Sequence, residues 1–155
     1  EVLKNCKDAL VIRTNFFGWG TQYRQSFSDF IIKNLRSNKS IELFSDVFFT
    51  TILVSELSSK VHQLIKAKLS GVFNVVSNER LSKYEFGVKL AKAFGLNTDL
   101  IKKISINEKK GLVQRPKDMS LSNAKLCKAL NCTIQKLISK FNHLIYKNLI
   151  TKETK

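Results

Sequence analysis

Short β-branched apolar runs alternate with longer stripes of helical period along this chain, and that alternation restricts the fold more than any other feature. Leu10-Val-Ile-Arg-Thr14 reads as a buried strand that empties into the glycine-bearing loop Asn15-Phe-Phe-Gly-Trp-Gly20. Loops at the ends of such strands are where α/β proteins bind ligands. From Gln22 to Leu35, the residues Tyr23, Phe27, Phe30, Ile31 and Leu35 fall on one helical face. Ile41-Glu-Leu-Phe44 reads as a strand and Asp46 to Thr51 as a loop. A second stripe runs from Leu53 to Leu69, where Gly71 is expected to stop the helix and open the strand Val72-Phe-Asn-Val-Val76.

Ser82-Lys-Tyr-Glu85 fits a capping box at the head of a third helix, which carries Tyr84, Val88, Ala91 and Phe94 and closes at Gly95. Leu96 to Leu121 is polar and basic, with the single proline at Pro116, and reads as a long excursion holding one short strand around Ile104. A short helix from Asn123 to Leu130 and a long one from Ile134 to Ile150 finish the chain. The class is therefore α/β, with few strands and several amphipathic helices. Two or three parallel strands make a thin sheet, so the chain reads as the far side of a larger sheet whose first half lies upstream.

Composition narrows the partners. A chain of 155 residues with 43% hydrophobic content is not a disordered tail. Twenty-seven Lys and Arg against 12 Asp and Glu leave a net charge of +15, which raises the prospect of a polyanionic partner. The lysines are dispersed, however. Lys102-Lys103 and Lys109-Lys110 are short, and no nucleic-acid-binding motif of known spacing occurs, so a basic nucleic-acid-binding or scaffold domain is the rival reading and a lysine-rich solvated surface the simpler one. Cys6, Cys127 and Cys132 form no C-x-x-C, and His62 and His143 stand alone, so neither a disulfide framework nor a zinc site is expected. Reduced thiols suit a cytoplasmic protein. No apolar run reaches the roughly 18 to 20 residues of a membrane span. Position 1 is Glu and the only methionine is Met119, so the chain reads as a piece of a longer protein.

Four segments occur in a telling order: Arg13-Thr-Asn-Phe-Phe-Gly18, Phe44-Ser-Asp-Val-Phe-Phe-Thr-Thr-Ile-Leu-Val-Ser-Glu-Leu57, Gly71-Val-Phe-Asn-Val-Val-Ser-Asn78 and Arg115-Pro-Lys-Asp-Met-Ser-Leu121. Together, over about residues 1 to 145, they resemble the C-terminal, substrate-binding half of an extended short-chain dehydrogenase/reductase. Within it the sequence is most similar to the sugar-nucleotide reductases typified by dTDP-4-dehydrorhamnose reductase, with the NAD-dependent epimerases and dehydratases next. The resemblance implies one substrate-binding region over residues 1–155, with a Rossmann cofactor half and a Tyr-x-x-x-Lys pair upstream of Glu1. Neither that pair nor a G-x-x-G-x-x-G loop is present here. NAD or NADP would be bound mainly by the absent half, the substrate would be a nucleotide sugar, a homodimer is possible, and the fragment alone would not catalyse.

Carried over position by position, the resemblance puts Thr14 and Asn15 near nicotinamide and sugar, with the Asn15 amide donating to substrate oxygens. Asn15 also reads as a turn residue bonding its own backbone. Phe16 falls where an aromatic lies against the hexose, or else in the core. Thr51 is retained in a loop that shapes the nucleotide end of the pocket, while Thr50 replaces the usual proline and predicts a softer backbone. Arg115 would grip a diphosphate bidentately, with Asp118 and Leu121 anchoring the next helix; the alternative is a surface arginine paired to Asp118. Lys83 and Lys125 read as solvated helix residues.

Overall fold

The computed structural model describes residues 1–21, 23–109, 111, 113, 116–134, 137, 140 and 141. A short helix α1 (Val2–Asn5) leads into strand β1 (Leu10–Arg13), which pairs in parallel with β6 (Gly71–Asn74). Strand β2 (Phe16–Phe17) pairs in parallel with β5 (Ile52–Leu53), and β3 (Ile41–Phe44) with β8 (Ile101–Ile104). A third pattern joins β4 (Phe48–Thr50) antiparallel to β7 (Arg80–Ser82) and parallel to β9 (Asp118–Met119). Helices α2 (Phe27–Arg36), α3 (Val54–Lys66), α4 (Lys83–Ala93) and α5 (Ala124–Leu130) fill the connections. The α/β class stands. The expected count of two or three strands does not, because several strands are two or three residues long and leave no period-2 signal to read.

Helix boundaries follow cap chemistry. The Ser82 hydroxyl accepts from the Glu85 N–H at 3.1 Å while the Glu85 carboxylate accepts from the Ser82 N–H at 2.7 Å, the reciprocal box expected for α4. A second box, Ser26 with Asp29, starts α2 five residues later than the apolar stripe suggested. Tyr23 is consequently outside the helix and almost fully exposed, and Thr21 and Arg24 form a small β-bridge instead.

Helices α2 to α5 all end in one way. Asn38, Lys68, Gly95 and Asn131 take positive φ, and the next N–H reaches back to the carbonyl of the sixth residue behind it, counted inclusively, as in Lys39 to Asn34, Leu69 to Leu64, Leu96 to Ala91 and Cys132 to Cys127. Lys68, not Gly71, thus terminates α3; Gly71 (φ 92°) opens β6. The polar excursion carries two strands, β8 and β9, rather than one.

Two apolar clusters organise the interior. In the larger, Phe86 is fully buried against Phe17, Phe27, Phe49 and Phe141 at centroid separations of 5.4 to 5.7 Å. The smaller gathers Ile52, Leu64, Phe73, Val75, Leu126 and Ile134 between α3, β6 and α5. Ile134, Leu137 and Phe141 of the predicted last helix are buried in these clusters; the rest of that stripe, Ile138, Leu144, Ile145 and Leu149, lies outside the described residues. No described helix is long and apolar enough to cross a membrane.

Candidate functional site

The strand end of β1 is tied down from three sides. Thr14 Oγ1 donates to the Val75 carbonyl at 2.7 Å, and the Asn15 carbonyl accepts from the Ile52 N–H at 2.9 Å. Asn15 Nδ2 donates to the Met119 carbonyl at 2.9 Å, across 104 residues of sequence. The amide expected to meet substrate, and the Thr14 hydroxyl expected near the cofactor, are therefore engaged inside the fold. Asn15 does not cap its own turn either; it pins β1 to β9. Their position releases Phe16, which stands 63% exposed beside the half-exposed Val54.

Beyond Phe16 the chain lines a cleft of about 500 Å³ running from Phe16 through Thr21 and from Arg24 through Ser28, closed on one side by Val54. Its loop is wound tightly onto the head of α2. Asp29 accepts from the Gly20 N–H at 2.7 Å and the Ser26 N–H at 2.9 Å, and Ser26 Oγ donates to the Gly18 carbonyl at 2.7 Å. A Cβ on Gly20 would lie 2.2 Å from the Arg24 carbonyl, so that approach requires glycine. Arg24 is the charged side chain among the lining residues, and the N-terminus of α2 adds its partial positive charge. Trp19 Nε1 and Ser28 Oγ are buried without a hydrogen-bond partner among the described residues. Unsatisfied buried polar groups are uncommon in native proteins. The lining thus combines aromatic surface with a cation, a set suited to an oxygen-rich anionic ligand.

Thr51 is 1% exposed, and its hydroxyl also has no partner among the described residues. Its neighbour Thr50 does the work assigned to the usual proline. Thr50 Oγ1 accepts from the Leu121 N–H at 2.9 Å and lies 3.2 Å from the Leu121 carbonyl, to which it donates. The segment expected to be a loop with a softer backbone is instead the ordered strand β4, fastened through a hydroxyl. Asp46 holds the excursion from the other end, accepting from Ile106 N at 2.9 Å, Ser105 Oγ at 2.7 Å and Lys117 Nζ at 3.3 Å. The Ile106 N–H, then the Ser105 hydroxyl and Lys117, bring its carboxyl down to about 2. Arg115 lies outside the described residues. Asp118, its alternative partner, takes Arg80 at 2.8 Å.

Lys125 is exposed, as expected, whereas Lys83 is half-buried. Lys83 Nζ lies 3.6 Å from the Phe49 ring centroid and 4.9 Å from that of Phe27, and burial pushes its pKa down to about 8. Lys125 Nζ donates to the Val72 carbonyl at 2.9 Å over the Phe73 ring. Of the site residues expected from the sequence, Phe16 lines the cleft, together with the loop glycines Gly18 and Gly20. Thr14, Asn15 and Thr51 sit behind it. Trp19, Arg24, Ser26 and Phe27 were not anticipated as lining; the second capping box and the dense aromatics were the signal available for them.

Small two- and three-stranded sheets flanked by helices, with a cleft at a strand end, make this an α/β ligand-binding frame. Residues 1–149 match the family model of the RmlD substrate binding domain, and the chain belongs to that family. Among curated proteins it is 24% identical over 130 residues to a probable low-salt glycan biosynthesis reductase of Haloferax volcanii, covering 81% of this chain and 43% of that one. It superposes on a dTDP-4-dehydrorhamnose reductase from Bacillus anthracis, solved with NADP, with a TM-score of 0.75 at 20% identity, covering 89% of this chain and 48% of that one. A hypothetical dTDP-4-dehydrorhamnose reductase from Sulfolobus tokodaii gives 0.66 at 27% identity, over 78% and 41%. The chain spans somewhat less than half the length of these relatives.

Proposed function

We propose that residues 1–155 are the nucleotide-sugar-binding part of an NAD(P)-dependent sugar-nucleotide reductase of the dTDP-4-dehydrorhamnose reductase type, acting in the cytoplasm on a precursor of polysaccharide. The observation that carries this reading is the family match across residues 1–149, together with an aromatic and cationic cleft at the end of β1. Thr14 and Asn15 spend their polar groups on Val75 and Met119, and no glycine-rich phosphate loop occurs, so the cofactor belongs mainly to an upstream Rossmann half. When bound there, NAD or NADP supplies the hydride. This chain's contribution is proximity and orientation. Phe16 offers an apolar face to the hexose, and Arg24 and Arg115 neutralise the diphosphate.

The test uses the full-length protein in a thermal-shift and titration series with dTDP-, UDP- and GDP-sugars. A nucleotide sugar should raise the unfolding midpoint. Arg115→Ala and Arg24→Ala should each weaken that binding about tenfold or more, the value of a lost charge-assisted bond of roughly 1.5–3 kcal/mol. No stabilisation by any nucleotide sugar, with both variants indistinguishable from the parent, would remove the proposal. Loss of reduced-nicotinamide absorbance with a 4-keto sugar separates a reductase from an epimerase or dehydratase of the same superfamily.

A further inference from the structure

The end of α5 places two cysteines at the positions that this turn brings into contact. Asn131 adopts φ 44°, ψ 50°, and the Cys132 N–H donates to the Cys127 carbonyl at 3.1 Å. In this motif the side chains of the first and sixth residues pack on each other. Helices α3 and α4 show it. Leu64 and Leu69 meet in the smaller cluster at the end of α3, and Ala91 and Leu96 meet in the larger one at the end of α4. At the end of α5 the same pair of places holds two thiols. Burial, and then Cys132, push the Cys127 thiol up, while Lys60 works in the opposite sense. Both side chains are half-buried and neither is in a disulfide; Cys6 stands apart, exposed, beside α1.

We propose that Cys127 and Cys132 form a dithiol modification site whose reaction partner is a low-molecular-weight disulfide such as oxidised glutathione. The Cys132 thiolate attacks one sulfur of the oxidant, forming a mixed disulfide and expelling one thiolate. The Cys127 thiol, held protonated longer by its burial, then gives up its proton. Its sulfur attacks that of Cys132, closing the Cys127–Cys132 bond and expelling the second thiolate. The protein loses two protons and two electrons, and the oxidant leaves as two thiols. The hydrogen bond that closes the turn keeps its two ends close, the arrangement from which a short-range disulfide can form. Closure would lock the turn between Leu126, fully buried, and Ile134, whose carbonyl accepts from Asn78 Nδ2 at 3.4 Å.

Full-length protein is equilibrated in reduced and oxidised glutathione over a range of ratios, acid-quenched, alkylated and mapped by mass spectrometry. The expected product is a peptide pair carrying Cys127 and Cys132 that escapes alkylation and is lighter by two hydrogens, while Cys6 is alkylated or glutathionylated on its own. Cys127→Ser and Cys132→Ser should each convert the bridge into a glutathione adduct on the remaining cysteine. The reduced wild-type protein should also bind phenylarsine oxide one to one at this pair, blocking alkylation of both thiols together. Alkylation of both cysteines at every ratio, or independent glutathionylation of each without a bridge, would overturn the proposal. Because the wild-type measurement needs no substitution, it stands whether or not the serine variants fold.

Discussion

The two apolar clusters differ in how completely the chain closes them. The larger is aromatic and sealed: α2, α4, β3 and β8 surround Phe86, and Ile31, Phe86, Leu90 and Phe141 have no exposed surface. The smaller is mainly aliphatic and lies under the parallel pair β1 and β6, where Leu10, Val11, Ile12 and Val72 remain partly exposed. Parallel strands in α/β proteins are ordinarily covered on both faces. One cluster behaves as a finished core. Among the described residues the other is less completely covered, and under the proposed function the upstream cofactor half is what lies against β1.

If that contrast is right, damage should be global in one region and local in the other. Phe86→Ala removes the ring at the centre of the aromatic cluster and should cost about 3–5 kcal/mol, seen as a lower denaturant midpoint across the whole protein. Leu126→Ala, in the smaller cluster, should cost about 2–4 kcal/mol. Hydrogen exchange should show its effect concentrated in β1, β6 and α5. Equal loss of protection in α2 and α4 would erase the distinction. At the seam between regions, Thr50→Val leaves the Leu121 N–H without its acceptor and should cost about 1–3 kcal/mol, read from chemical denaturation.

The smallest effect has the opposite sign. Lys83 has a folded pKa near 8, below that of an exposed lysine, so between about pH 8 and the ordinary lysine value the unfolded chain binds more protons and stability rises with pH. Lys83→Met should therefore stabilise the protein at pH 7 by about 1 kcal/mol and flatten that rise. Denaturation curves at pH 7 and pH 10 measure both, and an unchanged pH slope would show that Lys83 is better hydrated than its position against Phe49 implies.

Much of this architecture was legible before any coordinates. The capping box at Ser82 and Glu85, the limits of α5, and the strands around Val11, Leu43 and Phe73 follow from local periodicity and cap chemistry, which involve residues within one or two turns of each other. Strands β2, β5 and β9, each two residues long, follow from nothing local; they exist because a partner strand is adjacent. The candidate site divides in the same way. Phe16 and the tight loop through Gly18 and Gly20 were visible from the strand-end pattern. Arg24 and Trp19 were not, because Tyr23 seemed to belong to the helical stripe until the Ser26 box moved the start of α2.

Alternation and motif order along the chain were sufficient for the α/β class and the family, since these depend on short-range spacing. Which hydrogen bonds each polar residue makes was a matter for the tertiary fold. Asn15 meets Met119, Thr50 meets Leu121 and Asp46 meets Ile106 across 104, 71 and 60 residues. The same amide or carboxylate would serve a ligand equally well. Only the arrival of a distant backbone, already desolvated and in need of a partner, committed them to holding the site together.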